Sequence, residues 1–275
     1  MASLLRSAKP AHSWTGNELL AYNIATRTVA PQEFFINPNP SLEHLDPALL
    51  ATPSNTFPSG VSEATAWYLK SLGLATRLGM LDDFARETLR LPGLDFYESN
   101  DFVACTRFTI PFQICGETVK ASETAVCLLH HPSLILLIVA RAQTGFDSTG
   151  DSGPHAQVIA MAVSAFQYNN QQRIETGLQP LESMVIPCIA MADTRPTFYL
   201  VPVTLALSTA VETGQYPPTE TVVSVCFTDI QGASATVGME DLEYRKLALE
   251  RFLAFKNLAR DHWKATLEGV CGCLE

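Results

Sequence analysis

Histidine and cysteine provide the most reactive side chains in this sequence. The adjacent His130 and His131 could bind a metal ion, because neutral imidazole is a common metal ligand. They stand in a predicted turn, however, where solvated histidines are the more common case. Cys127 could form a nucleophilic pair with His130 or His155, but it lies within an apolar run, where a thiol is normally buried and inert. We therefore expect structural roles for these residues.

A polar loop precedes one of the predicted helices and offers a second kind of site. The segment Gly145–Gly153 is rich in Gly, Ser and Asp, and a helix start of this composition could contact an anion. Asp147 and Asp151 disfavour a phosphate there, so a flexible strand-to-helix loop is the preferred interpretation. The sequence has no G-x-S-x-G, P-loop or G-x-G-x-x-G motif, which argues against hydrolases of that type, P-loop NTPases and dinucleotide enzymes.

Length and composition indicate one acidic α/β domain with a real core. The chain has 275 residues, of which 47% are hydrophobic and 17% charged. Its net charge of -10 counts against a function on nucleic-acid backbones, which usually requires a basic surface. The 7 cysteines are odd in number and mostly lie in apolar runs, which is typical of free thiols in an intracellular, reducing compartment. No apolar run approaches the roughly 18 residues of a membrane span.

The elements that must position any site begin after an N-terminal arm. Residues 1–60 are rich in Pro, Asn, Ser and Thr and predict an arm with short helical turns at Gly16–Ala25 and Ser41–Leu50. Residues 61–275 form the predicted domain. It opens with a helix from Ser62 to Leu81, in which Ser62 is the N-cap, and a second helical piece at Asp82–Leu91.

A change to two-residue periodicity then predicts a sheet. Phe102–Ile114, Val119–Leu129 and Leu134–Ala142 are predicted to form an antiparallel meander. Leu134–Ala142 is apolar on both faces and should therefore be central.

Helices and further strands follow the meander. The remaining predictions are a helix at His155–Gln172, a strand at Met184–Ala190, its hairpin partner at Phe198–Leu207, an edge strand at Val222–Phe227 and a closing helix at Glu240–Leu267. The expected fold is a mixed central sheet, an antiparallel meander plus a crossover strand, flanked by helices.

This α-β-β-β-α-β order resembles the PD-(D/E)XK nuclease-like superfamily over residues 60–210. Ser122–Val126 falls where the family places its first acid, at the opening of the second strand. Leu136–Arg141 falls where it carries an acid, any residue and a lysine on the third strand, and Gln157–Ala160 is similar to the helix that contributes a glutamine. A later stretch, from Ile186–Cys188 through Arg195–Tyr199, is also similar to uncharacterised fungal proteins of this type.

The resemblance implies a site with named roles. It gives Glu123, Arg141 and Gln157 catalytic positions, and it gives Glu123 and Glu63 as ligands of Mg²⁺ or Mn²⁺, which carboxylate oxygens hold well. The sequence departs from the family pattern where the second acid is replaced by Val139 and the lysine by Arg141. Valine does not ligate a metal, and arginine keeps a positive charge without the proton chemistry of lysine. No cofactor is expected unless a nuclease site persists.

Three functional hypotheses remain open at this stage. The leading one is a degenerate nuclease-like protein with a binding or interaction role, centred on Arg141 with Glu123 opposite and with nucleic acid or protein as the partner. The second is an active metal-dependent phosphodiesterase that recruits another acid, such as Glu63 or Asp147. The third is an unrelated α/β enzyme that acts on a small molecule in an apolar cleft.

Overall fold

The computed structural model describes residues 6–54, 56, 59–91, 102–130, 134–142, 153–230 and 236–268. The fold is mixed α/β: a seven-stranded mixed sheet is flanked by helices, and a separate two-stranded sheet packs beside it. The strands are β1 (Ile24–Thr28), β2 (Phe102–Thr106), β3 (Thr109–Ile114), β4 (Glu117–Glu123), β5 (Val126–His130), β6 (Leu134–Arg141), β7 (Ser183–Ala192), β8 (Arg195–Thr204) and β9 (Thr221–Phe227).

The helices fall before, between and after these strands. They are a 3-10 turn at Ala11–Ser13, α1 (Gly16–Ala21), α2 (Pro31–Phe34), α3 (Ala48–Ala51), α4 (Glu63–Leu78), α5 (Leu81–Arg90), α6 (Gly153–Glu175), α7 (Leu205–Thr213) and α8 (Leu242–Glu268). The predicted N-cap of α4 is confirmed, because Ser62 Oγ accepts a hydrogen bond from the Thr65 amide at 3.2 Å. Within the described ranges, no helix is both long and apolar enough to cross a membrane.

The main sheet has the strand order β1-β9-β8-β7-β6-β5-β2. Its β1–β9 and β6–β7 pairs are parallel and its other pairs are antiparallel. Strand β6 is central, as its apolar sequence predicts, and Arg141 is its one exposed residue. Strand β9 lies inside the sheet between β8 and β1, so the prediction that Val222–Phe227 is an edge strand is wrong. The edge strand on this side of the sheet is β1, which comes from the N-terminal arm.

The predicted three-strand meander is wrong in its connections. After β2 the chain leaves the main sheet at Arg107, which has φ of 54°, and forms the β3–β4 hairpin before it returns as β5. The single predicted strand at Val119–Leu129 is therefore two strands in two sheets. The hairpin turn at Cys115 and Gly116 has positive φ at both residues, and the Cys115 amide donates to Val211 O at the end of α7.

Two adjacent residues of β8 show which helices cover each face of the sheet. The Phe198 ring packs on Phe252 and Phe255 of α8, whereas Tyr199 contacts His155 of α6 on the opposite face. Strand β8 ends at Thr204, whose Oγ1 caps α7 by accepting from the Leu207 amide at 3.1 Å. The prediction that this strand continues to residue 207 is therefore wrong, because a local cap starts a helix there.

Candidate functional site

Most strands of the main sheet have a polar residue at the same end of the sheet. We call this end, where β6 and β7 terminate, the carboxyl edge, as distinct from the edge strands β1 and β2. The parallel strands β6 and β7 end there, at Arg141 and Ala192. The antiparallel register brings the end of β2 and the beginning of β5 to the same edge. Ligands of open α/β sheets bind where parallel strands end, so this carboxyl edge is the candidate functional site.

Asp82 organises this edge by binding two arginines. The Nε and Nη2 atoms of Arg141 donate to its two carboxylate oxygens at 2.5 and 2.6 Å, and Arg107 Nε donates to Oδ2 at 3.2 Å. Bidentate guanidinium–carboxylate bonding of this kind is strong and fixes orientation. Asp82 also lies in the first turn of α5, where the helix dipole favours a negative charge. We call Asp82, Arg107 and Arg141 the Asp82 cluster.

The Asp82 cluster carries a surplus positive charge that faces solvent. Asp82 is 8% exposed, whereas the Arg141 and Arg107 side chains are 45% and 68% exposed. In the described part of the chain, Asp82 is the only carboxylate that pairs with either guanidinium. Three N–H-bearing nitrogens, Nη1 of Arg141 and both Nη atoms of Arg107, do not take part in these bonds. The cluster can therefore hold an anionic group through a pre-oriented arginine fork.

The sequence did not indicate Asp82 and Arg107 as site residues. Asp82 was predicted as an ordinary first residue of a helical piece, and Arg107 fell inside a predicted strand. The one available signal was an acidic residue at a helix start, which is too common to mark a site. Asp147, Asp151 and His131 lie outside the described residues.

The structure places Glu123 and Gln157 on elements of the α6 side of the sheet. Glu123 is the exposed last residue of β4 and pairs with Thr109 in the hairpin, so it does not open the second strand of the main sheet. The hairpin packs on α6, and Gln157 is a half-buried residue of α6. Helix α6 covers the Tyr199 face, whereas Arg141 binds a residue of α5 on the other side of the sheet.

The side of Arg141 follows from the strand register. Val139 lies in one row with Ile189 and Phe198, and the Phe198 ring faces α8. Arg141 stands two residues after Val139 on the same strand and therefore shares its face. Glu123, whose hairpin packs on α6, makes no ion pair with Arg141 among the described residues.

Glu63 lies at the other end of the sheet. It is the exposed first residue of α4, its carboxylate accepts a hydrogen bond from Trp67 Nε1 at 3.3 Å, and it lines a groove with Phe102. Phe102 begins β2, whereas Arg107 follows its end. The two predicted metal ligands, Glu123 and Glu63, therefore do not share a site. The described ranges contain no group of three or more His, Cys, Asp or Glu residues that could hold a metal ion.

Val139 occupies the position that the resemblance gives to the second acid. Its side chain is 1% exposed, and its carbonyl accepts a hydrogen bond from the Ala125 amide at 2.9 Å. Its neighbours across the sheet are Val126 and Ile189. A carboxylate at this position would be taken out of water among apolar side chains, at a cost of several kcal/mol, as an order of magnitude.

A half-buried histidine and a buried tyrosine form a pair at the carboxyl edge on the α6 face. His155 Nδ1 and Tyr199 Oη are 2.9 Å apart, and the imidazole also packs edge-on against Phe227. Burial lowers the pKa of His155 and raises the pKa of Tyr199 well above its ordinary value. Both side chains are therefore neutral near pH 7, which suits a structural hydrogen bond. Burial also raises the pKa of the Cys127 thiol, which removes the thiolate that a Cys–His nucleophile requires.

Comparison with protein-family models gives no match to this chain, and comparison with curated proteins gives none at a significant level.

Proposed function

We propose that this chain is a degenerate nuclease-like protein that acts by binding a partner and does not hydrolyse phosphodiesters. The observation that carries the proposal is the Asp82 cluster. At the edge where a nuclease would need free carboxylates for a cation, the buried carboxylate of Asp82 is already neutralised by Arg141 and Arg107. A carboxylate bound in this way is a poor ligand for Mg²⁺ or Mn²⁺.

The order of elements supports the nuclease-like part of the proposal. Helices α4 and α5 precede β2, β5 and β6 of the main sheet, and α6 leads to β7, which lies parallel to β6. This is the α-β-β-β-α-β order of the resemblance, with the β3–β4 hairpin inserted between the first two strands. Arg141 ends the third of these strands, so the expected position of a basic residue is kept at the carboxyl edge.

The charge of the chain favours a protein partner over nucleic acid. A net charge of -10 opposes a long phosphate backbone, whose binding rests on many simultaneous cationic contacts. The Asp82 cluster offers one local surplus charge instead, enough for a single carboxylate or phosphate group of a protein. The active phosphodiesterase alternative needs a further acid: Glu63 lies at the other end of the sheet, and Asp147 lies outside the described residues.

A titration with Mn²⁺ tests whether a cation site exists at the carboxyl edge. We expect no saturable binding by calorimetry in wild-type protein, because the described residues contain no group of three or more His, Cys, Asp or Glu that could hold a metal ion. Glu123→Ala should leave the titration unchanged, and so should Glu117→Ala, an exposed acid at the other end of β4 that serves as the matched control. A stoichiometric Mn²⁺ site that Glu123→Ala removes and Glu117→Ala retains would overturn the proposal.

A further inference from the structure

The two edges of the main sheet are protected to different degrees. Edge strand β1 carries the exposed Arg27, which lies 3.6 Å from Glu33, and a charge at this position discourages pairing with another strand. Edge strand β2 has the sequence Phe-Val-Ala-Cys-Thr, with neither a charge nor a proline. Natural proteins rarely leave such a strand uncovered, because its free backbone groups are a template for another strand.

The outward backbone groups of β2 have a symmetric arrangement. The Arg107 amide donates to Ala125 O in register with the β2–β5 pair, so Val103 and Cys105 also bond toward β5. By alternation, the N–H and C=O groups of Phe102, Ala104 and Thr106 point away from the sheet. These three residues are centred on Ala104. An identical antiparallel strand would pair Phe102 with Thr106 and Ala104 with itself, with about six hydrogen bonds.

A groove runs beside this edge. It has a volume of about 990 Å³ and lies between α4, α5 and β2. Trp67 of α4 lines it and is 53% exposed, and Val103 of β2 is 54% exposed. Two large, half-exposed apolar side chains beside a strand that has no further strand next to it among the described residues are typical of an interaction surface.

The charges of the groove are self-complementary. Glu87 lies 3.4 Å from Arg86 and 3.8 Å from Arg90, and Glu63 stands on the α4 side of the same groove. The Nε atom of Arg86 is buried and has no hydrogen-bond partner among the described residues. A surface that holds both signs of charge can pair with its own copy across a two-fold axis, because each acid can meet an arginine of the other chain. An acidic or a basic partner would match only one sign.

We propose that the β2 edge is the interface of a homodimer. The β2 strands of two copies pair antiparallel around a two-fold axis at Ala104 and join the two main sheets into one continuous sheet. The groove charges of each copy face those of the other, and the exposed area of Trp67 and Val103 decreases. This inference is independent of the function proposed for the carboxyl edge.

Sedimentation equilibrium tests the dimer with two edge variants. Wild-type protein should show twice the 30.0 kDa chain mass at high concentration. Ala104→Pro should reduce this to the monomer mass, because it removes an outward N–H while the bonds toward β5 remain. Val103→Lys should do the same by placing a charge on the edge. Ile174→Lys, at a comparably exposed apolar residue on α6, is the matched control and should stay dimeric.

Hydrogen exchange gives the position of the interface. In the dimer, the amides of Ala104 and Thr106 should exchange more slowly as protein concentration rises, whereas the outward amides of β1 should not change. A monomer at all concentrations would overturn the proposal. So would a dimer that keeps its mass in both Ala104→Pro and Val103→Lys, or slowed exchange confined to other strands. If the β2 edge instead pairs with a strand of a different protein, the purified chain alone should sediment as a monomer at all concentrations.

Discussion

Replacing Arg245 with methionine is expected to lower the free energy of unfolding by about 3–5 kcal/mol, because three buried carbonyl groups would each lose a charged hydrogen-bond donor. The Arg245 side chain is fully buried. Its Nη1 donates to Leu49 O at 3.0 Å and Thr52 O at 2.6 Å, and its Nε donates to Met239 O at 2.7 Å. The unbranched methionine side chain can occupy the space of the aliphatic part of Arg245, but it leaves the three carbonyls without a donor.

The position of Arg245 explains the size of this effect. The guanidinium joins the N-terminal arm to the segment before α8, so its loss loosens two parts of the chain that are almost 200 residues apart. Burial lowers the pKa of Arg245, yet arginine stays charged at neutral pH, and the three carbonyl dipoles stabilise that charge.

Urea denaturation measures the change, with Lys246→Met as the matched control. Lys246 is the exposed neighbour of Arg245 on α8, and its replacement should change the free energy of unfolding by less than about 0.5 kcal/mol. Equal stabilities for the two variants would contradict the role given to the buried guanidinium.

Replacing Asn169 with leucine is expected to cost about 2–4 kcal/mol, because a buried backbone N–H and C=O would both lose their partner. The Ile135 amide donates to Asn169 Oδ1 at 2.7 Å, and Asn169 Nδ2 donates to Ile135 O at 2.8 Å. The β6–β7 pair spans only Ile138 to Arg141, so β7 does not pair with the first half of β6. The Asn169 side-chain amide therefore makes the two hydrogen bonds to Ile135 that a neighbouring strand would otherwise make.

Gln171→Leu is the matched control for this substitution. Gln171 is exposed on the same helix and bonds only to Glu175 among the described residues, so its replacement should have little effect on stability. In Asn169→Leu, the Ile135 amide should also exchange faster relative to the rest of β6. Unchanged exchange at Ile135 would show that the strand does not depend on the amide.

Local sequence patterns predicted the class of the fold and most of its elements. The mixed α/β class is confirmed, and the apolar run of β6 correctly indicated a central strand. Strand β1 was missed because it pairs with β9, about 200 residues away, and no local turn marks that contact. The β3–β4 hairpin was merged with its neighbours because Arg107 adopts a positive φ without the glycine that usually signals it.

The candidate site was predicted only in part. Arg141 was identified correctly as a charged residue at the end of a buried strand. Its partner Asp82 lies 59 residues earlier, and no periodicity or motif links the two. Glu123, Gln157 and Glu63 were grouped by the order of elements alone, and order does not specify the face of a sheet. The register, in contrast, places Arg141 on the α8 face.

A cleavage assay on single- and double-stranded DNA and RNA tests whether this chain hydrolyses phosphodiesters. Purified full-length protein would be incubated with each substrate in Mg²⁺ or Mn²⁺, beside Glu123→Ala and a chelated control. We expect no metal-dependent cutting in wild-type protein and no difference between wild type and Glu123→Ala. Metal-dependent cutting that disappears in Glu123→Ala would contradict this expectation, and would show that another acid completes a working nuclease site.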